Sequence, residues 1–147
     1  MKIVNKKATF DFEIKEKLEA GINLLGAEVK AVRLGHADLN GSFVKIIGSE
    51  AYLVNAKIYP FSYARPESYE QTRTRKLLLH KKEILSLKHK IEGSGLTIVP
   101  ISMYNTNTHI KLEIALVKGK KTYQKKEAKK RKDISREIEQ EFKERVH

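Results

Sequence analysis

The chain has 147 residues, no cysteine, 40% hydrophobic residues and 30 basic against 18 acidic side chains, a net charge of +12. That is the size of one domain with a short appendage, and it excludes a disulfide framework and thiolate chemistry. No apolar run approaches the ~20 residues of a membrane-spanning helix, and the start, MKIVNKKATFDFE, lacks the apolar stretch of a signal peptide, so a soluble, cytoplasmic protein is expected.

In chain order, Phe10, Phe12 and Ile14 alternate with Asp11 and Glu13, which predicts a half-buried strand. Gly21 and Gly26 bracket a second short extended piece, Ile22 to Leu25. Ala27 to Leu34 has apolar residues at 27, 31 and 34 and stops at Gly35, a short helix with Lys30 and Arg33 one turn apart on its surface. Phe43 to Ile47 and Ala51 to Val54 around Gly48-Ser49 predict a hairpin. Pro60 to Thr74 has no apolar period and reads as a long loop. Lys76 to Leu79 reads as a buried strand or a helix lead-in. Ile84, Leu87 and Ile91 lie on one helical face, ended by Gly93-Ser94-Gly95. Leu96 to Met103 is a strand in which Pro100 implies an edge or a bulge, and Ile110, Leu112, Ile114 and Leu116 alternate as another.

About six short strands with two or three flanking helices predict a mainly β fold, an OB-like small β-barrel, with a split α+β sheet as the competing arrangement. The barrel is expected over residues 1–119, followed by a basic tail over 120–147.

Nine of the fifteen residues from Lys118 to Lys132 are Lys or Arg, opposed only by Glu127. Lys118, Lys120, Lys121, Lys125, Lys126, Lys129, Lys130, Arg131 and Lys132 repel one another until a polyanion neutralises them. Nucleic-acid phosphate does so with release of counterions. Beyond the run, Ile134, Ile138, Phe142 and Val146 form a stripe one residue wide, too thin for a core and suited to a helix that firms up on a surface. An ordinary docked helix fits the pattern equally.

Elsewhere, Arg73, Arg75 and Lys76 precede an apolar triplet. On a strand Arg73 and Arg75 face one way, as two guanidiniums that could hold phosphates. Asn5-Lys6-Lys7 adds donors, and Tyr59, Tyr63 and Tyr69 offer stacking surface. There is no H-E-x-x-H, P-loop, G-x-S-x-G or G-x-G-x-x-G, and paired carboxylates such as Asp11 and Glu13 read as a solvated edge. A nucleic-acid binder without catalytic residues, metal or cofactor is therefore expected. A structural ribosomal protein is the alternative, and an RNA-processing enzyme would need a carboxylate cluster that the sequence does not offer.

Several blocks together resemble one family. They are Asn5-Lys6-Lys7-Ala8, Glu19-Ala20-Gly21, LLGAEVKAVRLG from Leu24, ADLNGSF from Ala37, RTRKLLLHKKEI from Arg73, GLTIVPISMY from Gly95 and KLEIALVKGKK from Lys111. Their order and spacing are similar to the SmpB, or SsrA-binding protein, family across about the whole chain. The resemblance implies a non-enzymatic, OB-like protein that binds the tRNA-like domain of tmRNA and carries it to stalled ribosomes for trans-translation. It is then a monomer when free, with a tail that is disordered until it becomes helical in the vacant mRNA channel beyond the decoding centre. It also implies RNA contacts at Asn5, Glu19, Leu78, Lys111 and the Lys118–Lys121 segment, and ribosome contacts from Tyr123 onward. The chain departs from the family's tail pattern at Gln124 and Lys126.

Overall fold

A computed structural model describes residues 2–59 and 69–119. In chain order they form β1 (Lys2–Val4), α1 (Lys6–Asp11), β2 (Phe12–Ile22), α2 (Gly26–Arg33), β3 (Ala37–Asp38), β4 (Phe43–Ile47), β5 (Glu50–Val54), β6 (Lys57–Ile58), β7 (Arg75–Leu78), α3 (Lys81–Ile91), β8 (Thr97–Asn105) and β9 (Ile110–Gly119). The tail and residues 60–68, with Tyr63, lie outside the described residues.

Strands β8, β4, β5, β7, β2 and β9 pair in that order, and β9 pairs back onto β8, so six strands close a ring. Every pairing is antiparallel. The ring is thin at two seams: β2 meets β7 only at Gly21 and Ile22, and β4 meets β8 only at Val44 and Ile98. The mainly β class and the strand number agree with the expectation from sequence. Leu53, Leu77, Ile98, Met103, Leu112 and Ile114 fill the interior. The opposite faces of β8 and β9 bury a smaller cluster, Val99, Ile101, Ala115 and Val117, against Ala8 of α1. Both faces of these two strands are covered, which explains their near-continuous apolar runs.

Two local expectations are corrected. Phe10 and Asp11 belong to α1, not to a strand. Asn5 causes this: its Oδ1 accepts from the Ala8 N–H at 3.3 Å and caps the helix. Ala20-Gly21-Ile22 continues β2 instead of starting a separate piece. Pro100 sits at a bulge and not on an edge, because β8 is paired on both sides. On one side β8 pairs with β4 at Ile98 and with β1 from Ser102, and Pro100 falls between. There the Asn5 amide donates to the Pro100 carbonyl at 2.8 Å.

α2 is fastened to the ring through a buried carboxylate. Glu28 is 1% and Arg75 0% exposed. Arg75 Nε donates to Glu28 Oε2 at 2.8 Å, its Nη1 to the Ala56 carbonyl at 2.8 Å and its Nη2 to the Gln71 carbonyl at 3.0 Å. Arg73 Nη2 donates to Glu28 Oε1 at 2.5 Å, and the Leu25 N–H donates to the same oxygen at 2.9 Å. The Tyr69 hydroxyl lies 2.9 Å from the Ile58 carbonyl and 3.1 Å from Glu28 Oε2. Burial by itself would raise the Glu28 pKa. The hydrogen bonds from Leu25, Arg73 and Arg75, with the charge of Arg75, outweigh it and hold the carboxyl below its usual 4.5.

Removing one partner of such a pair leaves the other charge buried alone. Glu28→Ala should lower the unfolding free energy by about 3–5 kcal/mol, measured by urea denaturation at neutral pH. Because the folded-state pKa is depressed, the Glu28 contribution is present above 4.5 and lost as pH falls through the lower folded value. The stability gap between wild type and Glu28→Ala should therefore narrow on acidification below that point. A gap that widens there would contradict the account.

Candidate nucleic-acid interface

Outside the ring, one row of residues crosses four strands. Tyr104 of β8 pairs with Lys111 of β9, Lys111 with Gly21 of β2, and Gly21 with Leu78 of β7. Residues paired in this way share a face of the sheet. Leu78 is 56% exposed although large and apolar. A Cβ on Gly21 would come within 3.1 Å of the Leu78 Cβ, so any larger residue there would push Leu78 away from β2 by a few tenths of an ångström. Glu19, two residues before Gly21, shares this outer face and is exposed. Its Oε2 accepts the Tyr104 hydroxyl proton. Burial, then the Glu19 hydrogen bond and the charges of Glu19 and Glu113, push the Tyr104 pKa up to about 12, so this hydroxyl stays a donor at neutral pH.

Lys76 is exposed, on the Leu78 side of β7, and pairs with Glu50 at 3.3 Å. Two adjoining grooves meet over Gly21, Leu78 and Lys111; one extends to Glu19 and His80, the other to Arg33 and His109. The surface thus combines an apolar platform, a carboxylate acceptor and cations. Such a mixture can engage base faces, base or ribose donors and phosphates together, which a purely basic patch cannot.

The expected RNA-contact residues separate into groups. Glu19, Lys76, Leu78, Lys111 and Arg33 come together here, and Lys30 is exposed in the last turn of α2. Lys6 and Lys7 are exposed on α1, and Lys118 pairs in register with Glu13, near the other end of β2. At a strand rise of about 3.3 Å per residue, that end lies roughly 25 Å from Gly21. Arg73 and Arg75 do face one way, toward Glu28; Arg75 has no accessible surface, a correction to the expected surface pair, whereas Arg73 is part-exposed beside its bond to the carboxylate. Asn5 is 3% exposed and its side chain is spent on α1 and Pro100. The Tyr69 hydroxyl likewise belongs to the Glu28 network. Lys120, Lys121, Tyr123, Lys125, Lys126, Lys129, Lys130, Arg131, Lys132 and Ile138 lie outside the described residues.

Sequence reasoning did not single out Tyr104 or His109. Tyr104 could have been found from its place one residue beyond the apolar run Ile98 to Met103. His109 sits in an irregular connection that carries no pattern. Among the described residues no cluster of three or more His, Cys, Asp or Glu could hold a metal ion, and no helix is long and apolar enough to cross a membrane.

Known proteins are similar to this chain over most of its length. The family model described as SmpB protein matches residues 2–144. The SsrA-binding protein of Sulfurihydrogenibium sp. (strain YO3AOP1) is 53% identical over 142 residues, covering 97% of this chain and 93% of that one. The SsrA-binding protein of Fusobacterium nucleatum is 42% identical over 139 residues, covering 95% and 94%. A chain in the solved structure "tmRNA-SmpB: a journey to the center of the bacterial ribosome" superposes with a TM-score of 0.70 at 41% identity, covering 86% of this chain and 93% of that one. With the motif blocks, the strand ring and the whole length in agreement, the chain belongs to the SmpB protein family.

Proposed function

We propose that this chain binds the tRNA-like domain of tmRNA, the SsrA RNA, and delivers it to stalled ribosomes for trans-translation. It acts in the cytoplasm as a non-enzymatic binding protein. The observation that carries this reading is the near-full-length identity with SsrA-binding proteins. The surface around Glu19, Leu78 and Lys111 supplies specific recognition. Lys118, Lys120 and Lys121 lead into a tail whose dense charge suits a channel lined by rRNA phosphate. There repulsion among Lys125, Lys126, Lys129, Lys130, Arg131 and Lys132 is screened, and the stripe containing Ile138 propagates a helix back toward Tyr123.

Two experiments separate recognition from delivery. Glu19→Ala removes an acceptor, and leaving RNA donors unpaired should weaken binding to the tRNA-like domain by about 1–3 kcal/mol in a titration. A purely electrostatic surface predicts the reverse, because deleting an acid raises the positive charge. Tighter binding by Glu19→Ala across several salt concentrations would refute the contact.

Ile138→Pro disrupts a helix in the tail, at a cost of ~3 kcal/mol to that helix, and leaves the ring unchanged. Near-normal tmRNA binding with failed peptidyl transfer to tmRNA on stalled ribosomes is expected. Full rescue activity in Ile138→Pro would show that tail helicity is not needed.

A further inference from the structure

The ring consists of two sheets joined along narrow seams. Strands β2, β9 and β8 pair at length, from Phe12–Gly119 to Gly21–Lys111 and from Thr97–Val117 to Asn105–Ile110. Strands β4, β5 and β7 do likewise, from Phe43–Val54 to Ile47–Glu50 and from Ala51–Leu77 to Leu53–Arg75. Between the two sheets the ladders are short. β7 meets β2 at Gly21 and Ile22, with one further bond from the Asn23 N–H to the Lys76 carbonyl at 2.9 Å, and β4 meets β8 at Val44 and Ile98. Each sheet carries its own helix. Asn5 ties α1 to β8 through the Pro100 carbonyl, and Glu28 ties α2 to β7 through Arg75.

In ring order the two seams lie opposite each other. The Gly21–Leu78 seam runs through the middle of the candidate RNA face, with Lys76 and Leu78 on one sheet and Glu19 and Lys111 on the other. The Val44–Ile98 seam adjoins a half-open cleft of about 340 Å³. Gly41, Ser42 and Phe43 form one wall, leading into β4, and Ala8, Phe12 and Val99 form the other, from the α1 and β8 side. Phe12 is also the residue paired with Gly119, where the last strand ends and the basic tail starts.

Between the seams, Leu53 and Leu77 of one sheet pack in the same core as Ile98, Met103, Leu112 and Ile114 of the other. A close-packed interior resists compression. A sheet held at two opposite edges over such an interior draws in at one edge by lifting at the other. The long ladders within each sheet resist bending, so the two short seams take up the motion.

We infer that the ring works as a see-saw: RNA bridging the Gly21–Leu78 seam draws the two sheets together there and opens the cleft at the Val44–Ile98 seam, beside the root of the tail. RNA occupancy on one side of the ring is thereby felt where the tail leaves it. This rests on the RNA-binding reading above and goes beyond it, for it makes the ring a coupling device between the RNA face and the tail.

The chain has no cysteine, so Lys7→Cys/Asn40→Cys places spin labels at those two sites alone. Both positions are exposed and stand on opposite walls, Lys7 on α1 and Asn40 next to Gly41. Pulsed dipolar spectroscopy on the full chain should show the distance between the labels lengthening by about 2 Å on saturation with the tRNA-like domain, the scale of element shifts at packed interfaces. Lys7→Cys/Lys118→Cys puts both labels on the α1 end of the β2–β9–β8 sheet and should show no change. Leu78→Ala, at an exposed position, takes away the apolar foothold on β7 and should reduce the lengthening at saturating RNA. An unchanged or shortened distance across the cleft, an equal change in the control pair, or undiminished lengthening in Leu78→Ala would overturn the see-saw. Failure of the labelled chain to prefer the tRNA-like domain over unrelated structured RNA would instead remove the proposed function itself.

Discussion

The structure depends on satisfying one carboxylate in its interior. A buried Glu28 without partners would be prohibitive, yet it stands at the centre of donors from Leu25, Arg73 and Arg75. The long-range consequence lies on β7. Arg75 and Leu77 must point inward, one to the carboxylate and one to the core, so Lys76 and Leu78 must point outward. A slip of one residue would exchange the two faces and place Leu78 in the core. The ion pair therefore fixes the orientation of the apolar platform on the outer surface. It also anchors α2, whose Arg33 lines the groove that reaches His109.

The division between attraction and recognition follows from where the charges fall. The chain carries +12, and the single-signed run from Lys118 to Lys132 supplies most of it. Such charge draws any polyanion and reads no sequence. The outer face of β2, β7 and β9 is different in kind. It pairs Lys76 with Glu50, sets Glu19 against Tyr104, and leaves Leu78 open. A surface that has neutralised part of its own charge gains selectivity at the expense of nonspecific pull, which suits a protein that must pick one RNA among many.

How legible this was from sequence varied with the range of the interaction. Strand β9 was plain because Ile110, Leu112, Ile114 and Leu116 alternate without interruption, and α3 because Ile84, Leu87 and Ile91 keep a helical spacing. The helix α1 was hidden, since its six residues bury only Ala8 and its cap depends on an Asn whose amide is also held by Pro100. Nor could local pattern reveal that Arg73 and Arg75 face inward. Their partner is 45 and 47 residues away, and on a strand two arginines two apart look the same whether they meet phosphate or a buried acid. Glu19, Leu78 and Lys111 stand out in the sequence only through family resemblance, and their adjacency lies in the register through Gly21. The groove running from Gly21 to His109 has no signal at all, because it is lined by segments from separate parts of the chain.

The central claim is that specific RNA recognition lies on the face built around Gly21 and not on the arginine pair or the α1 end. Photochemical crosslinking of the full chain to the tRNA-like domain, with the crosslinked peptides mapped by mass spectrometry, tests it most directly. The account predicts crosslinks concentrated in residues 19–24, 76–80 and 104–111, persisting in high salt, with none at Arg75. Salt-resistant crosslinks confined to residues 5–11 and 73–75, with the Gly21 face empty, would contradict it.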